Sequence, residues 1–297
     1  MSAVGQRPPA AGRPWGDLLR LHLAVAGFGF AGLCGKLIHL EPVAIVAGRA
    51  GFAALAIAAA FCLGGRARDL LPRGRRQWLG PALGLVLAAH WWTFFQAIQV
   101  ASVAIGLVSF STSPILLLLM EALWYRRRPG VRALLASLAA LAGVLLAAPS
   151  LRWADASLRG MLWGVLSGGL YALLVLLARP LVAELSSWRL ALWQNAVAAL
   201  VLVPFLAGGR GPDGPGQWAL LALLGVLLTA GTHGLFLRSI RTVPAHLAVL
   251  TCSLEPAYGI IAAAAILGER PAGRTLLGAA LIAAAVAYTT WSPRRRR

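Results

Sequence analysis

Acidic side chains are scarce in this sequence: nine Asp and Glu stand against 27 Lys and Arg among 297 residues. Charged residues of both signs make up only 12%, where soluble domains carry roughly a quarter. The aspartates Asp17, Asp69, Asp155 and Asp213 fall outside the long apolar runs, so an intramembrane aspartate pair is excluded. The chain has no His-Glu-x-x-His pair and no Gly-x-Ser-x-Gly elbow, which leaves metal-dependent and serine hydrolysis without their usual residues. It also lacks a Walker loop, so work done by this protein would draw on gradients and not on ATP. Nothing implies a cofactor or a resident metal. Cysteine is limited to Cys34, Cys62 and Cys252, each inside an apolar run. A disulfide framework is therefore not expected, and the three read as small packing residues. No removable signal peptide is expected, because the first apolar run has no small-residue cleavage site. That run follows a polar stretch rich in Pro, Gly and Arg, and residues 1–19 read as a disordered cytoplasmic tail.

What the chain has instead is apolar surface: 59% of it is hydrophobic and its mean hydropathy is +0.77. That is the composition of a membrane protein. A net charge of +18 would suggest nucleic acid for a soluble domain, but the arginines lie between apolar runs and report topology instead, so no nucleic-acid partner is expected. A helix needs about 20 apolar residues to cross the hydrocarbon core. The rule cuts the chain into ten spans, 20–38, 42–64, 78–99, 101–123, 131–149, 160–178, 188–206, 217–238, 243–267 and 273–291. With the N-terminus inside, 20 Lys and Arg fall on inside segments, six on outside segments, and Arg49 lies within a span. The positive-inside rule then puts both termini in the cytoplasm and the protein, multi-pass, in the inner membrane. Trp15, Trp78, Trp124, Trp153, Trp188, Trp218 and Trp291 mark span ends, where the indole prefers the interface. Connections as short as Gln99 to Ala101 leave no room for a domain outside the bilayer.

A shift of 142 residues lays Pro114 on Pro256, Arg128 on Arg270, Pro129 on Pro271 and Arg132 on Arg274. One unit occurs twice, as residues 20–149 and 150–291, followed by a basic cytoplasmic tail at 292–297. Five helices per unit force the halves into opposite orientations. The expected fold is an all-α membrane protein of ten transmembrane helices in two inverted five-helix repeats. Proline-interrupted helices at matching places in two halves point to a midplane solute site, with Pro114 and Pro256 as points of flexure.

The residues also resemble a known family. Phe28-Gly29 followed by Lys36, the second-helix Arg49, Leu254-Glu255-Pro256 and Gly268-Glu269-Arg270 are similar to motifs of the drug/metabolite transporter superfamily, EamA type. Tyr171 and Arg179 repeat Phe28 and Lys36 at a spacing of 143. The first half departs from the pattern, with Arg126-Arg127-Arg128 in place of Gly-Glu-Arg. The resemblance implies ten helices in two repeats. It also implies movement of small organic solutes by alternating access, often export of amino acids or other metabolites.

Candidate site residues each admit two readings. Glu255 at bilayer depth costs about 2.5–3.5 kcal/mol, so it faces a cavity, contacts solute or carries a coupling proton. Alternatively it ties down the broken turn before Pro256. Arg49 can anchor an anionic group, and bracing of the bundle by snorkelling or by carbonyl contacts carries more weight. His90, Trp91 and Phe94 share a broad face at mid-depth that can stack a planar or cationic solute or simply pack. Trp163, Ser167 and Tyr171 form an i, i+4, i+8 stripe beside Gly164 and Gly168, a small-residue surface for helix contact. Phe28 mirrors Tyr171, while His233 and Ser253 are further candidates beside the helix that presents Glu255.

The expected function is secondary transport of a small organic solute, an amino acid or similar metabolite, with lipid around the protein and protons as a candidate coupling ion. A passive facilitator is the first alternative. An enzyme acting on a lipid-linked substrate is the second.

Overall fold

In lipid, backbone polar groups are satisfied only inside helices or closed barrels, and no strand occurs among the described residues. The structure, a computed structural model, describes residues 14–126, 128–147, 155–207, 209, 211–268, 270 and 272–291. The tail residues 1–13, the basic end 292–297, Trp153, Glu269 and Pro271 lie outside the described residues.

The first repeat consists of α1 (Pro14–Leu37), α2 (Pro42–Leu63), α3 (Leu79–Val100), α4 (Val103–Phe110), α5 (Ser113–Tyr125) and α6 (Val131–Ala147). The second consists of α7 (Ala156–Glu184), α8 (Ser187–Leu202), α9 (Gly214–Gly225), α10 (Thr232–Ser239), α11 (Ala245–Cys252), α12 (Glu255–Leu267) and α13 (Gly273–Trp291). A π-helical turn, Val226–Gly231, joins α9 to α10. The pairs α4–α5 and α11–α12 are single rods with a break, so each repeat has five rods. Among the described residues, eight rods are long and apolar enough to cross a membrane. The fifth rod of each repeat has a shorter apolar segment, Val131–Gly143 and Gly273–Ala285. Helix α1 is described from Pro14, six residues before the expected span, with Asp17 in its first turn, where an acidic side chain complements the positive helix end.

The two breaks are built alike. Ser111 and Thr112 N–H donate to carbonyls three residues back at 3.0 and 3.2 Å, and Ser253 and Leu254 do the same at 3.0 and 2.9 Å. Each tightened turn ends α4 or α11, and the next helix restarts at Ser113-Pro114 or Glu255-Pro256. Proline is tolerated there because a first-turn N–H has no partner to lose. A further correspondence emerges at the far ends. Helix α5 stops on Arg126 with φ 50° and α12 on Gly268 with φ 67°, both left-handed and again 142 residues apart.

Packing exchanges the halves. Helix α2 lies against α8, and α6 against α13; α7 packs on α3, α4 and α5, while α1 packs on α10, α11 and α12. Each of these contacts recurs with the repeats swapped, the pattern of a two-fold axis between them. Because five rods per repeat start the second unit on the opposite face, the axis lies in the membrane plane and the repeats are inverted. Trp15, Trp78, Trp124 and Trp218 are exposed near helix ends. Cys34 and Cys252 are buried, but Cys62 is exposed and does not serve as packing.

Candidate functional site

Three helices turn an i, i+3, i+4 stripe toward one interior void. Leu87, His90, Trp91 and Phe94 do so from α3, Tyr171, Leu174, Val175 and Ala178 from α7, and His233, Phe236 and Leu237 from α10. This spacing follows from 3.6 residues per turn. Phe28 and Ala31 of α1, Arg49 of α2, Phe110 of α4 and Glu255 of α12 complete the wall. The void holds about 610 Å3 of empty space, its open mouth included. It lies where the two repeats meet.

Its wall is a continuous set of rings. His90 is 5.1 Å from Tyr171 and 5.6 Å from Phe110, Tyr171 is 5.7 Å from Phe236, and Phe236 is 6.0 Å from Phe28, centroid to centroid. Close helix approach makes the enclosure possible. A Cβ on Gly29 would collide with the first turn of α12 at the Glu255 carbonyl and Tyr258. A Cβ on Gly164 or Gly168 would collide with the end of α4 at Ser109 and Phe110.

Two ionisable side chains face this apolar space. Arg49 is 2% exposed, with its guanidinium stacked 4.1 Å from the Trp91 centroid and 5.2 Å from Phe95. Its Nε donates to Thr229 Oγ1 at 2.9 Å, and Thr229 in turn donates to the Leu224 carbonyl five residues back at 2.6 Å. The π turn therefore sets the acceptor that orients Arg49, in keeping with the habit of such turns to sit at functional sites. Glu255 is 3% exposed at the start of α12. Among the described residues its carboxylate has no hydrogen bond or salt bridge, and Arg49 forms no salt bridge with it.

Of the residues expected from the sequence, Phe28, His90, Trp91, Phe94, Tyr171, His233 and Glu255 share the void. Three do not. Trp163 stands edge-on to the exposed Trp92 at 5.4 Å, on the outer side of α3. Eight residues advance a helix by about 80° beyond two full turns, so the stripe drawn from Trp163 to Tyr171 leaves the void face. Ser167 is fully buried behind the wall, with Oγ 2.8 Å from His90 Nδ1. Ser253 lies in the break, buried, with Oγ unpartnered among the described residues. Arg49 is buried at the void and does not snorkel, and among the described residues its bond goes to the Thr229 hydroxyl and not to a backbone carbonyl. Phe110 and Phe236 were missed, although Phe236 follows His233 at the i+3 spacing and Phe110 immediately precedes a break.

The family described as the EamA-like transporter family matches residues 14–148 and 158–291 of the chain. The uncharacterized transporter YxxF of Bacillus subtilis is 27% identical over 214 residues, 70% of this chain and 68% of that one. An uncharacterized transporter of Archaeoglobus fulgidus is 28% identical over 195 residues, 65% of this chain and 69% of that one. A solved crystal structure of a protein superposes with a TM-score of 0.75, covering 94% of this chain and 97% of that chain at 20% identity, a likeness of fold.

Proposed function

The chain belongs to the EamA-like transporter family, and from that premise we propose that this membrane transporter is a secondary transporter for a small zwitterionic solute, an amino acid or similar metabolite. The observation that carries the reading is the coexistence of Arg49 and Glu255 in one buried, ring-lined void without a salt bridge between them. Opposite charges at bilayer depth are costly unless something pairs with them. A solute bearing a carboxylate and an ammonium supplies both partners, and the rings accept its apolar body. The matching breaks before Pro114 and Pro256 flank the repeat interface. They supply flexure for alternating access, in which one repeat rocks against the other. The family resemblance favours export, and the distribution of Lys and Arg favours cytoplasmic termini in the inner membrane.

Counterflow in proteoliposomes tests this reading, using L-amino acids, nucleosides and cationic amines, with and without a proton gradient. Accumulation of an amino acid against its gradient is expected. Equilibration without accumulation would replace the reading with a passive facilitator, and flux confined to nucleosides or amines would sink the zwitterion.

A further inference from the structure

Two histidines face the void, and the groups behind them assign their protons. Ser167 Oγ donates its one proton to the His90 backbone carbonyl at 3.0 Å. It therefore meets His90 Nδ1, 2.8 Å away, only as an acceptor. The Ser167 carbonyl, 3.1 Å from the same Nδ1, is also an acceptor. Nδ1 of His90 thus carries the proton, and the neutral ring presents a bare Nε2 to the void.

His233 is held the opposite way. Asn195 Nδ2 lies 2.8 Å from the Ala191 carbonyl, which fixes the amide orientation because an amide oxygen there would face another acceptor. The second Nδ2 proton points to His233 Nδ1 at 3.2 Å, so Nδ1 must accept and the ring proton sits on Nε2. Neither Nε2 has a protein partner among the described residues. His233 stands edge-on to Trp91 at 5.8 Å, the same indole on which Arg49 stacks. His90 packs on Tyr171, whose hydroxyl meets Cys252 at 3.2 Å, three residues before Glu255.

Resting on the reading of the void as a solute site, we infer that Asn195 is a positioning residue that sets solute specificity. By holding His233 as a donor toward the void that Arg49 also lines, it adds to the donors that read a carboxylate, while the bare Nε2 of His90 and the carboxyl of Glu255 are the acceptors left for an ammonium. Asn195 does not line the void and carries no charge, and its acceptor oxygen is buried without a partner among the described residues. Its two donors are its contribution.

Solid-state 15N NMR of histidine-labelled protein in proteoliposomes reads the tautomers directly, with H90N and H233N used only to assign signals. His90 is expected protonated at Nδ1 and His233 at Nε2; one tautomer shared by both rings would overturn the inference. Asn195→Asp replaces the donor with an acceptor and is expected to move the His233 proton to Nδ1, leaving His90 unchanged. Counterflow competition with L-phenylalanine, 3-phenylpropionate and 2-phenylethylamine gives the second readout. In N195D the first two should weaken by at least about tenfold and the amine by less than about twofold. Asn195→Leu, which has no donor, should weaken the same two if N195D does not fold. Ser167→Ala should stay within about threefold for all three, because the Ser167 carbonyl still receives the Nδ1 proton. Equal losses across the panel in N195D would reduce Asn195 to a structural role. Correct tautomers with no competition by any of the three in wild-type protein would instead sink the zwitterion reading and leave the proton assignment standing.

Discussion

The guanidinium of Arg49 lies over the indole of Trp91, 4.1 Å from ring centre to Cζ. A cation held over a ring in this way keeps N–H donors for hydrogen bonds. One edge nitrogen is spent on Thr229, and the remaining donors are available to a solute carboxylate. Lysine keeps the charge but loses both the plane and the fork. Arg49→Lys should therefore lower counterflow by about tenfold, within the 0.5–2 kcal/mol span of such contacts plus a lost hydrogen bond. Arg66→Lys is the control. That arginine also lies over a ring, Phe61, but is exposed and paired with Asp69, so a change beyond about twofold is not expected there.

Glu255→Gln keeps the shape of the carboxylate and removes its charge. Thermal unfolding in detergent should rise or stay level, because an unpaired buried acid becomes a neutral amide. Uptake of zwitterions should fall by at least about tenfold, with carboxylate-only solutes less affected. Undiminished amino-acid flux would exclude Glu255 from solute recognition.

Gly29 and Gly51 separate packing from propensity. A side chain on Gly29 meets α12 backbone, whereas a Cβ on Gly51 meets nothing within 4 Å. Gly29→Val should lower the unfolding midpoint and abolish flux, since α1 and α12 must part. Gly51→Ala sits inside α2 and should stabilise by up to about 1 kcal/mol through helix propensity alone. Both are read by the same thermal scan.

Arg126 occupies a left-handed position that costs an L-residue roughly 1–2 kcal/mol and glycine little. Its counterpart in the second repeat, Gly268, has the same conformation. Arg126→Gly should raise stability by up to about that amount without altering flux, and a lowered midpoint would show that the side chain contributes more than its backbone costs.

Much of the architecture was written in local chemistry. Runs of about 20 apolar residues set the rods, and Pro114 and Pro256 marked both breaks, because proline restricts its neighbours wherever it stands. The 142-residue shift located the repeats, and the departure at Arg126-Arg127-Arg128 matched the unit whose cap is strained. The site was less legible. His90, Trp91, Phe94 and Tyr171 could be listed as mid-depth rings, but which face each helix turns inward depends on packing against partners far along the chain. Arg49 was read as a brace because its helix looked peripheral, and α2 does pack on α8, yet the Arg49 side chain is buried against the void. Asn195 and Ser167 touch histidines distant in sequence, and no spacing rule links them.

The π turn at Val226–Gly231 has a consequence for tolerated length changes. It accommodates one residue more than ordinary winding requires, so losing a single residue there would let α9 and α10 fuse into one regular helix with no cost in lipid. The fused rod would still cross the bilayer with His233 and Phe236 close to their old facing, but the widened turn that aims Thr229 Oγ1 at Arg49 would be gone. A shortened chain of that kind would insert, fold and fall silent as a carrier.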